Sequence, residues 1–222
     1  MHEKTVVVFT SDNGPWLVKK SDGGCALPLR GGKGGTFEGG VRVPTLVRWT
    51  GNIAPGSVCD TVAGTIDLLP TFVSLAGGKV PAEPLIDGRD ISNVLLGKTK
   101  ESQREAHYYF AGYNLQAVRQ GPWKLAVKTQ NESMGAAKQE IKNPRLYNLD
   151  TDIGETTDVA EKNPEIVAKL SALIAKKDAE IGGDNPTARR APGIAENPVT
   201  LYPSQPKAEK KQEKKTSKKQ KK

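Results

Sequence analysis

Ser11–Gly14 carries an acid, an amide and a glycine directly after the apolar run Val6–Phe9. In open α/β sheets, ligands bind beyond the carboxyl ends of the strands. Asp12 and Asn13 would offer a carboxylate and an amide oxygen there, which are hard ligands suited to Ca²⁺ or Mg²⁺. Two oxygens are too few for either ion, so other ligands must come from elsewhere. The alternative is an Asx-turn, in which one of these side chains bonds its own backbone and Gly14 adopts a positive φ.

A second candidate is Lys33, which lies within a run that has six glycines between Gly31 and Gly40. So many glycines exclude a core helix or regular sheet and allow a ligand to approach the backbone closely. A lysine among accessible N–H groups can bind a phosphate or sulfate oxygen. The spacing is not that of a P-loop, because no Gly-Lys-Ser/Thr follows the required glycines. The alternative is a solvated lysine on a mobile loop.

Glu38 and Arg42 lie four residues apart in the same glycine-rich stretch. They could contact a ligand, but we predict that they pair with each other and brace the loop. A metal-ligand pair at a strand end and an anion-binding lysine about twenty residues later suit one class of substrate, a tetrahedral oxyanion ester. A metal ion can polarise one oxygen of such an ester, and a lysine can neutralise the charge that develops on another.

The elements that must position these residues begin with Lys4–Thr10, a β-branched and aromatic run typical of a strand buried on both faces in a parallel sheet. Val43–Trp49 is a second predicted strand, with a proline tolerated near its start. A helix is predicted around Leu68–Leu75, capped by Thr65 or Asp67 and ended by two glycines.

From about residue 104 the pattern changes to short strands separated by turns. A long helix follows, for which Asn163 is the predicted cap and Pro164 the first residue. We therefore predict two folded units, residues 1–100 and the antiparallel-sheet-plus-helix unit 101–183, and then a Pro-rich linker and a Lys-rich disordered tail over 184–222. The predicted strands of the second unit are Tyr108–Phe110, Leu115–Arg119, Trp123–Val127 and Leu146–Leu149.

The formal net charge of +8 misleads about the folded part. Residues 207–222 hold nine lysines and two glutamates, so seven of the eight net charges lie in this tail. Such a tail could make the chain a non-catalytic binder of polyanions. It has no aromatic residue to stack on a base, which argues against specific nucleic-acid binding. The sequence contains neither a signal-peptide pattern nor an apolar run long enough to span a membrane.

Several ordered motifs together resemble the sulfatases of the arylsulfatase type. That resemblance implies an α/β sandwich of the alkaline phosphatase superfamily, of which this chain would be the C-terminal part, followed by a small antiparallel sheet packed by a C-terminal helix. It implies that Asp12 and Asn13 bind calcium and that Lys33 contacts the sulfate. The motifs are Thr5–Gly14, Leu29–Pro44, Thr65–Phe72, Asp87–Asp90, Val118–Leu125, Leu146–Asp150 and Asn163–Glu165.

The same resemblance implies parts that this sequence does not contain. Family members carry upstream a Cys-x-Pro/Ala-Ser-Arg motif whose cysteine becomes formylglycine, the nucleophile, and an acidic pair that completes the metal site. Cys25 is followed by a different pattern, and we interpret it as an ordinary loop cysteine. We therefore expect a truncated sulfatase, inactive by itself, whose parent is periplasmic or secreted and acts on a sulfate ester such as a sulfated carbohydrate. A phosphatase or phosphodiesterase of the same superfamily is the alternative within the fold.

Overall fold

This computed structural model describes residues 2–83, 85–134 and 142–182 of the chain. These residues contain two antiparallel sheets. The first sheet pairs β1 with β2, and the second has the order β3-β4-β5-β6. The strands are β1 (Val7–Thr10), β2 (Thr45–Arg48), β3 (His107–Ala111), β4 (Asn114–Gln120), β5 (Trp123–Ala126) and β6 (Arg145–Asn148). The helices are α1 (Glu38–Val41), α2 (Leu68–Leu75), α3 (Ser92–Leu95) and α4 (Pro164–Ile181), with 3₁₀ turns at His2–Lys4, Leu17–Gly23, Thr65–Asp67 and Ala160–Lys162.

The β1–β2 ribbon differs from the prediction of a doubly buried parallel strand. Its two strands run antiparallel, with Phe9 opposite Leu46. Phe9 is 70% exposed and Leu46 is 62% exposed. An apolar run therefore forms the strand as predicted, but among the described residues nothing covers this face of the ribbon.

The glycine-rich run is more ordered than its composition suggests. It contains one helical turn, α1, which includes the buried Gly39 and Gly40. The expectation that this run excludes helix is wrong over this single turn. A Cβ atom on Gly40 would lie 2.3 Å from the backbone oxygen of Gly35, so glycine is required there by close backbone approach.

The helix predicted near residue 68 is confirmed as α2, preceded by a 3₁₀ turn. Asp67 is buried, and its carboxylate accepts hydrogen bonds from the backbone N–H groups of Gly64 and Arg89. The same carboxylate forms an ion pair with Arg104. Asp67 thus joins the start of this helix to the chain entering the second sheet.

The second sheet and α4 form the main hydrophobic core of the described residues. Each strand pairs with the next, and Gly121 takes a positive φ in the turn that joins β4 to β5. The predicted small sheet with a packed C-terminal helix is confirmed. Asn163 precedes α4, but its side chain donates to the carbonyl of Val159 and does not cap the helix as predicted. The core residues are Ala106, Leu115, Val118, Leu125, Leu146, Leu170 and Ile174.

The remaining sequence-based predictions concern the domain boundary, the C-terminal tail, the cysteines and membrane spanning. The boundary near residue 100 stays a prediction, and the linker and tail predicted over 184–222 lie outside the described residues. Cys25 and Cys59 are both exposed free thiols. Within the described ranges, no helix has the length and apolar character needed to cross a membrane.

Candidate functional site

Backbone hydrogen bonds join the turn after β1 to the glycine-rich run. The N–H of Gly14 donates to the carbonyl of Gly40 over 3.0 Å, and the N–H of Lys33 donates to the carbonyl of Pro15 over 2.9 Å. The first bond is made by the residue directly after the predicted metal ligands Asp12 and Asn13. The second is made by Lys33, the predicted anion-binding residue. Segments that are twenty residues apart in sequence are therefore direct neighbours.

The turn itself leaves the side chains of Asp12 and Asn13 available. Its internal hydrogen bond is made by the hydroxyl of Ser11, which donates to the carbonyl of Asn13 over 2.9 Å. Gly14 is not among the glycines with positive φ, and neither candidate side chain hydrogen-bonds to another described residue, so the Asx-turn alternative is not observed. Asp12 is exposed and Asn13 is half-buried.

The oxygen pair of Asp12 and Asn13 suits a hard cation by its chemistry, a carboxylate beside an amide oxygen. It does not form a complete site. Across the described ranges, no group of three or more His, Cys, Asp or Glu side chains could hold a metal ion. These two residues could supply two ligands of a calcium ion, and the others would have to come from outside this set.

The backbone of Lys33 is held on both sides. Besides its bond to Pro15, its carbonyl accepts a hydrogen bond of 2.6 Å from the N–H of Met134. The side chain is half-buried, and its Nζ lies 5.7 Å from the centroid of the Trp16 ring. Lys33 is therefore on an anchored segment, unlike the lysine of a free-standing loop, with its ammonium group beside an aromatic ring.

Beneath this run lies a buried cluster of charged groups. The carboxylate of Glu38 accepts hydrogen bonds from Tyr109 (2.7 Å), Lys124 (3.0 Å) and Arg119 (3.0 Å). The Nζ of Lys124 also lies 2.7 Å from Oε1 of Glu155. Oε2 of Glu155 accepts a hydrogen bond of 2.6 Å from the backbone N–H of Glu38. We call these five residues the buried charge cluster.

The expected Glu38–Arg42 pair is wrong. Arg42 is exposed, whereas Glu38 is 2% exposed and takes its partners from β3, β4 and β5. The prediction that Glu38 braces the run holds, but the bracing groups come from the second sheet. They lie far along the chain, so four-residue spacing could not reveal them.

Burial and neighbouring charges shift the pKa values of three groups in the cluster. Burial alone would raise the pKa of Glu38, but the ammonium of Lys124 and the hydrogen bond from Tyr109 hold it below its usual value. Burial raises the pKa of Glu155, and Lys124 offsets this only in part. Burial and the nearby charge of Glu38 raise the pKa of Tyr109 well above its usual value.

A second set of contacts comes from the chain after β5. The side-chain amide of Gln130 donates to the carbonyl of Thr36 over 2.9 Å, and the N–H of Gly32 donates to the carbonyl of Glu132 over 2.8 Å. Arg30 forms an ion pair with Glu132. The segment that carries Lys33 is thus held between the turn after β1 and the second sheet.

A cavity of about 340 Å³ lies between residues 60–62, 100–107 and 119–122 and shares Arg119 with the buried charge cluster. His107 lines it, and burial followed by the charge of Arg104 lowers the pKa of this histidine. Two arginines at its wall are engaged elsewhere, Arg104 with Asp67 and Arg119 with Glu38, and Lys100 also lines the cavity. The cavity contains neither Lys33 nor the Asp12–Asn13 pair.

The family model described as N-sulphoglucosamine sulphohydrolase, C-terminal, matches residues 33–180, well over half of the chain. The chain belongs to the sulfatase family. Human arylsulfatase A is 39% identical over 191 residues, covering 77% of this chain and 37% of that protein. This sulfatase chain therefore spans little more than a third of the relative that it matches.

Solved structures agree with this membership. The PsFucS1 sulfatase from Pseudoalteromonas sp. is 29% identical, with a TM-score of 0.73 over 80% of this chain and 37% of that one. A structure of Ps i-CgsB in complex with k-i-k-neocarrahexaose is 28% identical, with a TM-score of 0.63 over 79% and 37%. The predicted family and the α/β fold with a small sheet and C-terminal helix are confirmed.

Sequence reasoning assigned no role to Glu155, or to Lys124, although Lys124 lies within the motif Val118–Leu125. Lys124 sits in the apolar strand β5 between Trp123 and Leu125, and a lysine at such a position is the one available signal. It indicates that the side chain needs buried partners, because a fully buried lysine is rarely left unpaired. It does not identify those partners.

Proposed function

We propose that this chain supplies part of the active site of a sulfuric ester hydrolase. Lys33 contacts a sulfate oxygen of the substrate, and Asp12 and Asn13 provide two oxygen ligands for Ca²⁺, with Mg²⁺ the less suitable ion. The observation that carries the proposal is the pair of backbone hydrogen bonds, Gly14 to Gly40 and Lys33 to Pro15. They join the two segments that carry the candidate groups.

The roles of these residues follow from the charge of a sulfate ester. Negative charge grows on the oxygens as the ester bond breaks, and a fixed ammonium group stabilises it without reorganising. Lys33 suits this role because its backbone is anchored on both sides. A bound calcium ion would polarise an oxygen of the same group. Asp12 and Asn13 would hold that ion with hard oxygen atoms.

The nucleophile is proposed to lie outside this chain. Neither Cys25 nor Cys59 is part of a Cys-x-Pro/Ala-Ser-Arg motif, so the formylglycine implied by the family would come from an upstream region. Two features support this: the chain spans 37% of arylsulfatase A, and Val7, Phe9 and Leu46 leave an apolar face on the β1–β2 ribbon. A two-stranded ribbon is marginal by itself in water and gains stability when further strands join it. The chain alone is expected to be inactive.

The proposed substrate class is a sulfated carbohydrate. The matching family model is named for a sulfated glucosamine, and one similar structure holds a neocarrahexaose. We expect the parent protein to act in the periplasm or outside the cell, where such polymers occur. The test compares the turnover of a panel of sulfated sugars with the turnover of an aryl sulfate. Equal or greater turnover of the aryl sulfate would contradict the carbohydrate class.

The role of Lys33 is tested in a longer sulfatase that contains this chain together with the upstream cysteine motif. Lys33→Ala should lower turnover by roughly 10²–10³-fold, as the loss of one oxyanion donor does. Lys33→Arg should recover little, because a planar fork does not replace a compact charge. Lys19→Ala is the matched control, since the Nζ of Lys19 lies 4.9 Å from the same Trp16 ring. Normal turnover in the Lys33→Ala variant would refute the sulfate-contact role.

The calcium role is tested by calorimetry. Asp12→Ala should abolish calcium binding to the longer protein, and Asp22→Ala, which removes a carboxylate from another exposed position, should leave it intact. The 222-residue chain should bind calcium weakly, because it offers two side chains to an ion that takes six to eight oxygens. Tight stoichiometric binding by the chain alone, lost in Asp12→Ala, would overturn the view that the site is incomplete.

A further inference from the structure

Lys124 is fully buried in β5, and its ammonium group contacts four residues outside that strand. Its Nζ donates to the carbonyl of Thr36 over 2.8 Å and to Glu38 over 3.0 Å. It forms an ion pair of 2.7 Å with Glu155 and lies 4.1 Å from the centroid of the Tyr109 ring. A side chain from the second sheet therefore reaches 86 residues back along the chain, to the end of the glycine-rich run.

These contacts act on the segment that carries Lys33. Thr36 follows Lys33 by three residues, and its carbonyl accepts both from Lys124 and from Gln130. Glu38 follows by five residues, and both its backbone N–H and its carboxylate are bound within the buried charge cluster. The run between them includes Gly34 and Gly35, which restrict the backbone little by themselves. Its conformation must therefore be imposed from outside.

We propose that Lys124 is a positioning residue for Lys33, holding the glycine-rich run so that the Lys33 ammonium faces the sulfate group. The proposal rests on the proposed function of Lys33. A buried ion pair is often no more stabilising than well-packed apolar side chains. A lysine here supplies what an apolar residue cannot, which is one donor group that binds a backbone carbonyl and two carboxylates at once.

The positioning role is tested with Lys124→Met and with Arg104→Met as the matched control. Arg104 is also a buried cation, 11% exposed in its side chain, but its partner Asp67 lies outside the run. Hydrogen exchange of the amides of residues 31–40 should quicken by roughly tenfold or more in Lys124→Met, as expected when a buried hydrogen bond is lost. Arg104→Met should leave those amides unchanged. Equal exchange in both variants would overturn the proposal.

Turnover in the longer sulfatase tests the link to Lys33. Lys124→Met should lower kcat by roughly tenfold or more with Lys33 present, and by less than about twofold in a Lys33→Ala background, because coupled residues do not act additively. Equal fold losses in both backgrounds would mean that Lys124 acts independently, which refutes the proposal. A Lys33→Ala variant with normal turnover would instead refute the proposed function, so the two failures are distinguishable.

Two further variants separate position from stability. In the double variant Lys124→Met/Glu155→Gln, a neutral amide replaces the buried Glu155 carboxylate that would otherwise lose its cation. Thermal stability should therefore recover while kcat stays low. Recovery of kcat together with stability would reduce Lys124 to a structural residue and overturn the proposal. If Lys124→Met does not fold, Gln130→Leu removes the other donor to the Thr36 carbonyl without removing a charge. It should lower kcat in the same direction, and an unchanged kcat would count against the proposal.

Discussion

Replacing Glu38 by glutamine tests how strongly the buried charge cluster stabilises the protein. The substitution preserves the volume of the side chain and one acceptor oxygen, but it removes the charge that faces Lys124 and Arg119. Breaking a buried ion pair by removing one partner costs about 3–5 kcal/mol, because the other charge stays buried. Lys124 keeps Glu155 as a partner, so we expect the lower end, about 3 kcal/mol.

The matched control is Glu132→Gln, the same chemical change in an ion pair at the surface. The side chain of Glu132 is 44% exposed, and that of its partner Arg30, in the segment that holds the glycine-rich run, is 24% exposed. A pair that is partly open to solvent contributes far less than a buried one, about 1 kcal/mol, so this variant should lose much less stability than Glu38→Gln. Urea unfolding of the three proteins gives the difference directly, provided that the m-values agree.

The pH dependence supplies a second check on Glu38. Because its folded-state pKa is lowered, its contribution is complete above the unfolded value of 4.5 and is lost as the pH falls through the folded value. The stability gap between the parent protein and Glu38→Gln should therefore narrow below pH 4.5. A gap under about 1 kcal/mol at pH 7, or one equal to that of Glu132→Gln, would refute the reasoning.

Three further predictions concern other parts of the chain. The pKa of His107 is lowered in the folded protein, so the unfolded chain binds a proton at higher pH than the folded one does. The free energy of unfolding should therefore fall as the pH drops below 6.5. His107→Phe should remove this pH dependence in urea unfolding between pH 5 and 8. Leu170→Ala should cost about 2–5 kcal/mol in the same measurement, and Leu69→Ala, at a position 61% exposed, far less; similar losses would contradict the assigned core. Deleting residues 207–222 should abolish most heparin binding without changing the melting temperature, and a lower melting temperature would show that the tail packs.

The sequence by itself determined the local elements and the family. The helix Pro164–Ile181 and the four strands of the second sheet follow from hydrophobic periodicity and turn residues, which depend on neighbours in the chain. The family motifs predicted membership and the roles of Lys33, Asp12 and Asn13. Membership is confirmed, and the three roles remain proposals.

Tertiary structure alone decided which groups meet across the chain. The apolar run at Val7–Thr10 predicts a strand, but its antiparallel partner and its exposed face depend on a segment almost forty residues away. Glu38 could be predicted to brace its loop, yet its partners Lys124 and Glu155 lie 86 and 117 residues further on. Burial makes such partners obligatory, because a charge removed from water must be compensated. Their identity is set by the packing of the second sheet against the glycine-rich run, which no local spacing encodes.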